Sequence, residues 1–160
     1  MGVKKVFFPK IRLAELVAAP GGTTRDDAVA AAVRNVQAIS GEGDAVMNAS
    51  IQAIEKIVAG AGARLDPGAL ESILIHADQV ITLAGTFGYE SLDRAARSLC
   101  DTIESLLAVK ASDAAPVAVH VDAMRLFSPG KASPQGDAAE GVLAELARVQ
   151  AYYRSRAAPQ

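Results

Sequence analysis

The sequence predicts an all-α protein: an antiparallel four-helix bundle with extra N-terminal and C-terminal helical segments. Three observations lead there. Apolar residues recur at the three- and four-residue spacing of a single helix face, segment after segment. Aromatics make up only 4% of the chain and Trp is absent from an apolar fraction of 51% led by alanine, which suits closely packed helices better than an aromatic-rich β core. Glycine, proline and capping residues punctuate these segments, and no alternating run reads as a strand. At 160 residues, one domain with a continuous core is expected, spanning 24–160 behind an arm and short helix over 1–23.

Val3, Val6, Phe7 and Phe8 place too much apolar surface in the first residues for an idle tail, so this arm is expected to pack on the bundle or on a second chain. Residues 9–18 can form a short helix that Pro20-Gly21-Gly22 ends. Thr24 with Asp27 three residues on resembles a capping box and opens a helix over about 25–40, with Val29, Ala32, Val33, Val36 and Ile39 as its apolar face. Gly41-Glu42-Gly43 is expected to break it. A second helix over about 44–60 shows Met47, Ile51, Ile54, Ile57 and Val58.

Asp66 then serves as N-cap, with Pro67 in the first helical position where its missing N–H is not needed. Leu70, Ile73, Leu74, Ala77, Val80, Ile81 and Ala84 gather on one side of the helix that follows. Gly88 ends it, and Leu92, Ala96, Leu99, Ile103 and Leu106 carry a second stripe back along the first, so residues 67–108 form a helical hairpin. The hairpin and residues 25–60 are expected to supply the four bundle helices. A shorter helix over 114–127 has Val117, Val121, Met124 and Phe127 as its face with His120 beside them. The linker 128–136 leads to a last helix over 137–155, with Ala139, Val142, Leu146, Val149 and Tyr153 on its face and basic residues at its C-terminal end.

The run Gly85-Thr86-Phe87-Gly88-Tyr89-Glu90-Ser91-Leu92, followed by Asp93-Arg94-Ala95-Ala96, resembles the hairpin of histidine-phosphotransfer (HPt) domains, the four-helix carriers of bacterial phosphorelays. In that family a phosphorylatable His is followed four residues later by Gly and ten residues later by the turn Gly. Counting back from Gly88 reaches Asp78, and four residues on from there lies Thr82. The nearby His76 is two positions early, with Gln79 and Val80 where the pattern has a basic residue and Gly. The opening Leu-Ala-Glu-Leu and Pro-Gly-Gly-Thr-Thr are similar to the start of CheE-type chemotaxis accessory proteins of alphaproteobacteria.

These resemblances imply a signalling adaptor that docks response-regulator receiver domains without transferring phosphate. Its docking shoulder is Asp78, Thr82 and Gly85, which helical spacing places together, with Gln79 and Glu71 nearby. His76 and Leu83 lie on the opposite shoulder. An active phosphotransfer protein using His76 is one alternative, and His76 as an edge histidine at the bundle interface is its plainer reading. A dimerising helical protein that pairs through the N-terminal arm and has no signalling role is another.

Other chemistries find little support. Two histidines and one cysteine, far apart in the chain, do not suggest a zinc site, and no cofactor is implied. His120 reads as a satisfied core-edge histidine and Cys100 as a buried thiol. There is no Gly-x-Ser-x-Gly elbow, phosphate loop or dinucleotide fingerprint. A net charge of −2 with both signs mixed gives no footprint for nucleic acid, and no apolar run nears the roughly 20 residues that span a bilayer. The hydrophobic stretch near the N-terminus is too short for a secretory signal, so a cytoplasmic protein with no membrane partner is expected.

Overall fold

The computed structural model describes residues 21–157, so the expected arm around Val6, Phe7 and Phe8 and the short helix over 9–18 lie outside it. The described residues form six helices: α1 (Arg25–Ala38), α2 (Ser40–Ala61), α3 (Pro67–Phe87), α4 (Glu90–Ala108), α5 (Ala115–Leu126) and α6 (Asp137–Ala157). Among them there is no strand, only one isolated antiparallel bridge between Arg64 and Asp113, and no helix long and apolar enough to cross a membrane. The protein is all-α.

The described residues divide into two units, one ending at Val36 and the other beginning at Gln37. In the first, α1 begins as its sequence suggests. The Asp27 N–H donates to Thr24 Oγ1 at 3.1 Å, and the Thr24 hydroxyl donates in return to Asp27 Oδ2 at 2.6 Å, a local variant of the capping box. The expected apolar face fares differently. No residue of α1 is buried, and Val29 and Val33 are half in solvent. The expected helix therefore forms, over Arg25–Ala38 and not as far as 40, but it does not supply a buried bundle face.

In the second unit α2, α3, α4 and α5 close a ring in which each packs on two neighbours, and α6 lies along α4. The place expected for the 25–40 helix is thus held by α5. Short connections reverse the chain between successive helices. At one end, Leu65 N–H donates to Ser112 O at 2.7 Å and Ala114 N–H to Ala63 O at 3.1 Å, tying the α2–α3 linker to the α4–α5 linker. At the other, Tyr89 Oη donates to Asp44 Oδ1 at 2.8 Å and Asn48 Nδ2 to Pro129 O at 3.4 Å.

The hairpin forms at the predicted register. Asp66 Oδ1 accepts from Ala69 N–H at 2.7 Å, and Gly88 stops α3 with φ 80°, a left-handed value that costs glycine little. Leu70, Ile73, Ala77, Val80 and Ala84 of α3 are buried against Leu92, Ala96, Leu99, Ile103 and Leu106 of α4, with Leu74 and Ile81 at the margin. Burial of each large apolar side chain favours folding by about 1.5–3 kcal/mol. On α5, Val117, Val121 and Met124 are buried as expected, as is Phe127 at its C-cap. On α6, Leu143 joins Ala139 and Leu146 in the core, while Val149 remains half-exposed.

The expected break at Gly41-Glu42-Gly43 needs correction. The interruption falls two residues earlier, at Ile39, and Ser40 already belongs to α2. Gly43 is buried inside the first turn of that helix, where a Cβ would lie 2.1 Å from the Phe87 ring. Its role is close approach of an aromatic ring to the backbone, and a break in the helix is not what it supplies.

Candidate functional site

The candidate docking residues lie on α3, whose buried stripe fixes what the rest of the helix shows to solvent. With Leu70, Ile73, Ala77, Val80 and Ala84 turned inward, the positions at alternating four- and three-residue steps on the outer side are Glu71, Ile75, Asp78, Thr82 and Gly85. All five are exposed. The hydroxyl of Thr82 donates to the Asp78 carbonyl at 3.0 Å and that of Thr86 to the Thr82 carbonyl at 2.8 Å, so both are turned back onto their own helix. At Gly85 a Cβ would meet nothing within 4 Å. The result is a narrow surface with two carboxylates, one large apolar side chain and little relief at its C-terminal end.

Ile75 is the residue the sequence reading missed. It is 71% exposed, more than any other large apolar side chain described. In the run Ile73-Leu74-Ile75 it is the member that falls off the buried stripe, and extending the Asp78–Thr82–Gly85 register backward by three residues would have found it. A lone exposed isoleucine is common on protein surfaces. Its position between Glu71 and Asp78 makes it the apolar centre of this face.

Beside Asp78, the α3–α4 seam opens into a shallow groove of about 480 Å³, lined by Leu74, Ile81, Arg97, Cys100, Asp101 and Glu104. Arg97 donates through Nε to Asp93 at 2.9 Å. That hydrogen bond chiefly raises its pKa, with Asp78 a more distant contributor. Cys100, expected to be buried, is half-buried at the groove. Burial foremost, then the nearby carboxylates of Asp101, Glu104 and Asp78, pushes its thiol up to about 11. Such a thiol is almost wholly protonated at neutral pH and is a poor nucleophile.

Gln79 sits beside the face but is engaged elsewhere: its Oε1 accepts from the buried Ser50 hydroxyl of α2 at 2.8 Å. His76 occupies the opposite shoulder. The residue is half-buried, and its ring Nδ1 is enclosed without a hydrogen-bond partner among the described residues. The structure therefore groups Asp78, Thr82, Gly85 and Glu71 on one open surface and leaves His76 off it.

His120 lies within the α4–α5 contact and is fully buried. The Pro116 carbonyl, 2.7 Å from Nδ1, can only accept, so Nδ1 carries the proton and Nε2 accepts from the Ser98 hydroxyl at 3.0 Å. Both ring nitrogens are satisfied, and burial holds the pKa below the ordinary histidine value. Among the described residues no group of three or more His, Cys, Asp or Glu side chains is placed to hold a metal ion. No protein-family model, curated protein or solved structure matches the chain.

Proposed function

We propose that this protein is an HPt-like four-helix-bundle signalling adaptor, of the kind used in bacterial chemotaxis, that docks response-regulator receiver domains in the cytoplasm without transferring phosphate. The observation that carries the reading is the open face of α3. It presents Asp78 where the family register has its phosphorylatable imidazole, on a surface with Glu71, Ile75, Thr82 and Gly85. A carboxylate there accepts hydrogen bonds and cations from a partner. It does not form the phosphoramidate that makes transfer to and from a receiver reversible. Small residues at 82 and 85 leave room for an approaching loop, and Ile75 supplies apolar area that partner contact would bury.

The alternative that keeps phosphotransfer on His76 is less well served, because His76 is half-buried on the far shoulder while Asp78 stands open on the exposed face. Calorimetric titration against receiver domains from the same genome, resting and beryllofluoride-activated, tests the docking reading. Saturable binding that is weakened by Ile75→Glu and by Asp78→Arg is expected. Absence of binding to every receiver in both states overturns it. Transfer of label from a phosphorylated receiver onto His76 would replace it with the phosphotransfer reading.

A further inference from the structure

At the end of the second unit remote from the hairpin turn, the α2–α3 and α4–α5 linkers enclose an open cavity of about 770 Å³. That lies within the roughly 300–1,000 Å³ typical of small-molecule sites. Ala61, Leu107 and Ala111 give it accessible apolar surface over the buried Leu65 and Leu70, and two cations, Arg64 and Lys110, stand among its lining residues. Arg64 donates from Nε to Ser112 Oγ at 2.9 Å, which fixes the guanidinium. Among the described residues neither cation enters an ion pair. The one carboxylate in the lining, Asp66, is occupied in capping α3.

The backbone adds an independent observation. Lys110 N–H donates to Leu107 O at 3.1 Å and Ala111 N–H to Leu106 O at 2.9 Å, the pattern of a helix end whose penultimate residue is left-handed. Lys110 holds φ 53° there, the only positive φ at a non-glycine position among the described residues. Glycine would meet that backbone without strain. A lysine in its place sets a cation at the cavity while carrying local strain, a combination associated with functional positions. The bridge between Arg64 and Asp113 holds the two linkers together, so the cavity is formed before any ligand arrives.

The geometry points to a binding site for a small amphipathic anion: an acyl or alkyl chain against the apolar surface that Ala61, Leu107 and Ala111 leave accessible, with a carboxylate or comparable anionic head between Arg64 and Lys110. This site is at the end of the helical body and does not depend on the docking face of α3.

Titration of the full-length chain with dodecanoate, kept below its micelle-forming concentration, tests the assignment. Saturable one-to-one binding is expected, with affinity falling from dodecanoate to octanoate by up to about fourfold per methylene removed. Dodecyltrimethylammonium, with the same chain length and the opposite charge, should bind at least tenfold more weakly. Lys110→Gly relieves the left-handed residue and so retains the fold, yet it should lower dodecanoate affinity several-fold, as should Arg64→Gln. No saturable binding, equal binding of the two head-group charges, or unchanged affinity in both variants would overturn the assignment.

Discussion

The two ends of the second unit solve the same problem, turning the chain between packed helices, in opposite ways. At the hairpin end each residue suits its place. Gly88 takes the left-handed conformation, Gly43 lets the Phe87 ring sit against the first turn of α2, and Tyr89 ties the turn to Asp44. At the far end a lysine occupies the left-handed position, and an apolar-lined cavity opens between the linkers. The hairpin end also has a hollow, smaller at about 320 Å³ and lined by turn residues such as Gly88, Ser128 and Gly130. One end is optimised for closure. The other keeps strain and open volume that closure does not need, and this is why it draws the ligand assignment.

The largest effect that tests this contrast is expected at Gly43. Gly43→Ala puts a Cβ into the Phe87 ring and should cost about 1–3 kcal/mol, read as a lowered urea midpoint. The same change in a Phe87→Leu background removes the obstacle. Alanine's helix preference, worth about 1 kcal/mol over glycine, should then offset much of the loss. A penalty unchanged in the double variant would mean that the ring is not what requires glycine.

Acid should act on what both ends share. His120 is buried as a neutral ring between α4 and α5, with its folded-state pKa below the ordinary value near 6.5. As pH drops below about 6.5, the unfolded chain takes up a proton that the folded chain refuses, so stability falls with decreasing pH. The slope approaches about 1.4 kcal/mol per pH unit and levels off once the folded ring also titrates. Above about 6.5 this contribution is complete and flat. Urea unfolding between pH 7.5 and 5 should show the decline in the wild-type chain, and His120→Gln should remove this component while being less stable at neutral pH. An identical pH dependence in the two chains would assign the decline to other groups.

The hairpin was legible in the sequence because its signals are local and mutually consistent. Asp66-Pro67 opens α3, Gly88 closes it, and stripes of one period lie on both helices. Where the reading failed, the deciding contact was remote in sequence. Gly43 looked like a helix break because nothing in Gly41-Glu42-Gly43 announces a ring arriving from residue 87. The stripe on α1 has the same period as the one on α4, and periodicity alone does not say whether a face finds a partner. For the candidate site, spacing correctly brought Asp78, Thr82 and Gly85 together. It also placed Gln79 nearby, but did not reveal that its side chain is held by Ser50. The cavity at the far end could not be read at all, since it depends on two linkers nearly 50 residues apart being tied together.

Lys110→Gly tests the strained end directly. It should raise stability by roughly 0.5–1 kcal/mol, since relief of the left-handed side chain outweighs the added freedom of glycine in the unfolded chain. A gain in thermal midpoint together with weaker dodecanoate binding would show stability exchanged for recognition at one residue. A loss of stability would mean that the lysine side chain contributes to the fold, and the contrast between the ends would narrow.

The smallest effect compares two similar contacts. Each end has a tyrosine whose hydroxyl donates to an aspartate: Tyr89 to Asp44 at 2.8 Å and Tyr153 to Asp113 at 3.0 Å. In both, burial and the neighbouring carboxylate raise the phenol pKa, so the contact retains its donor through neutral pH. Tyr89→Phe removes a partly buried bond at the closed end and should cost about 1 kcal/mol. Tyr153→Phe removes a solvent-exposed bond, where water can replace the hydroxyl, and should cost less than half as much. Equal losses would mean that the far end is held as firmly as the hairpin end.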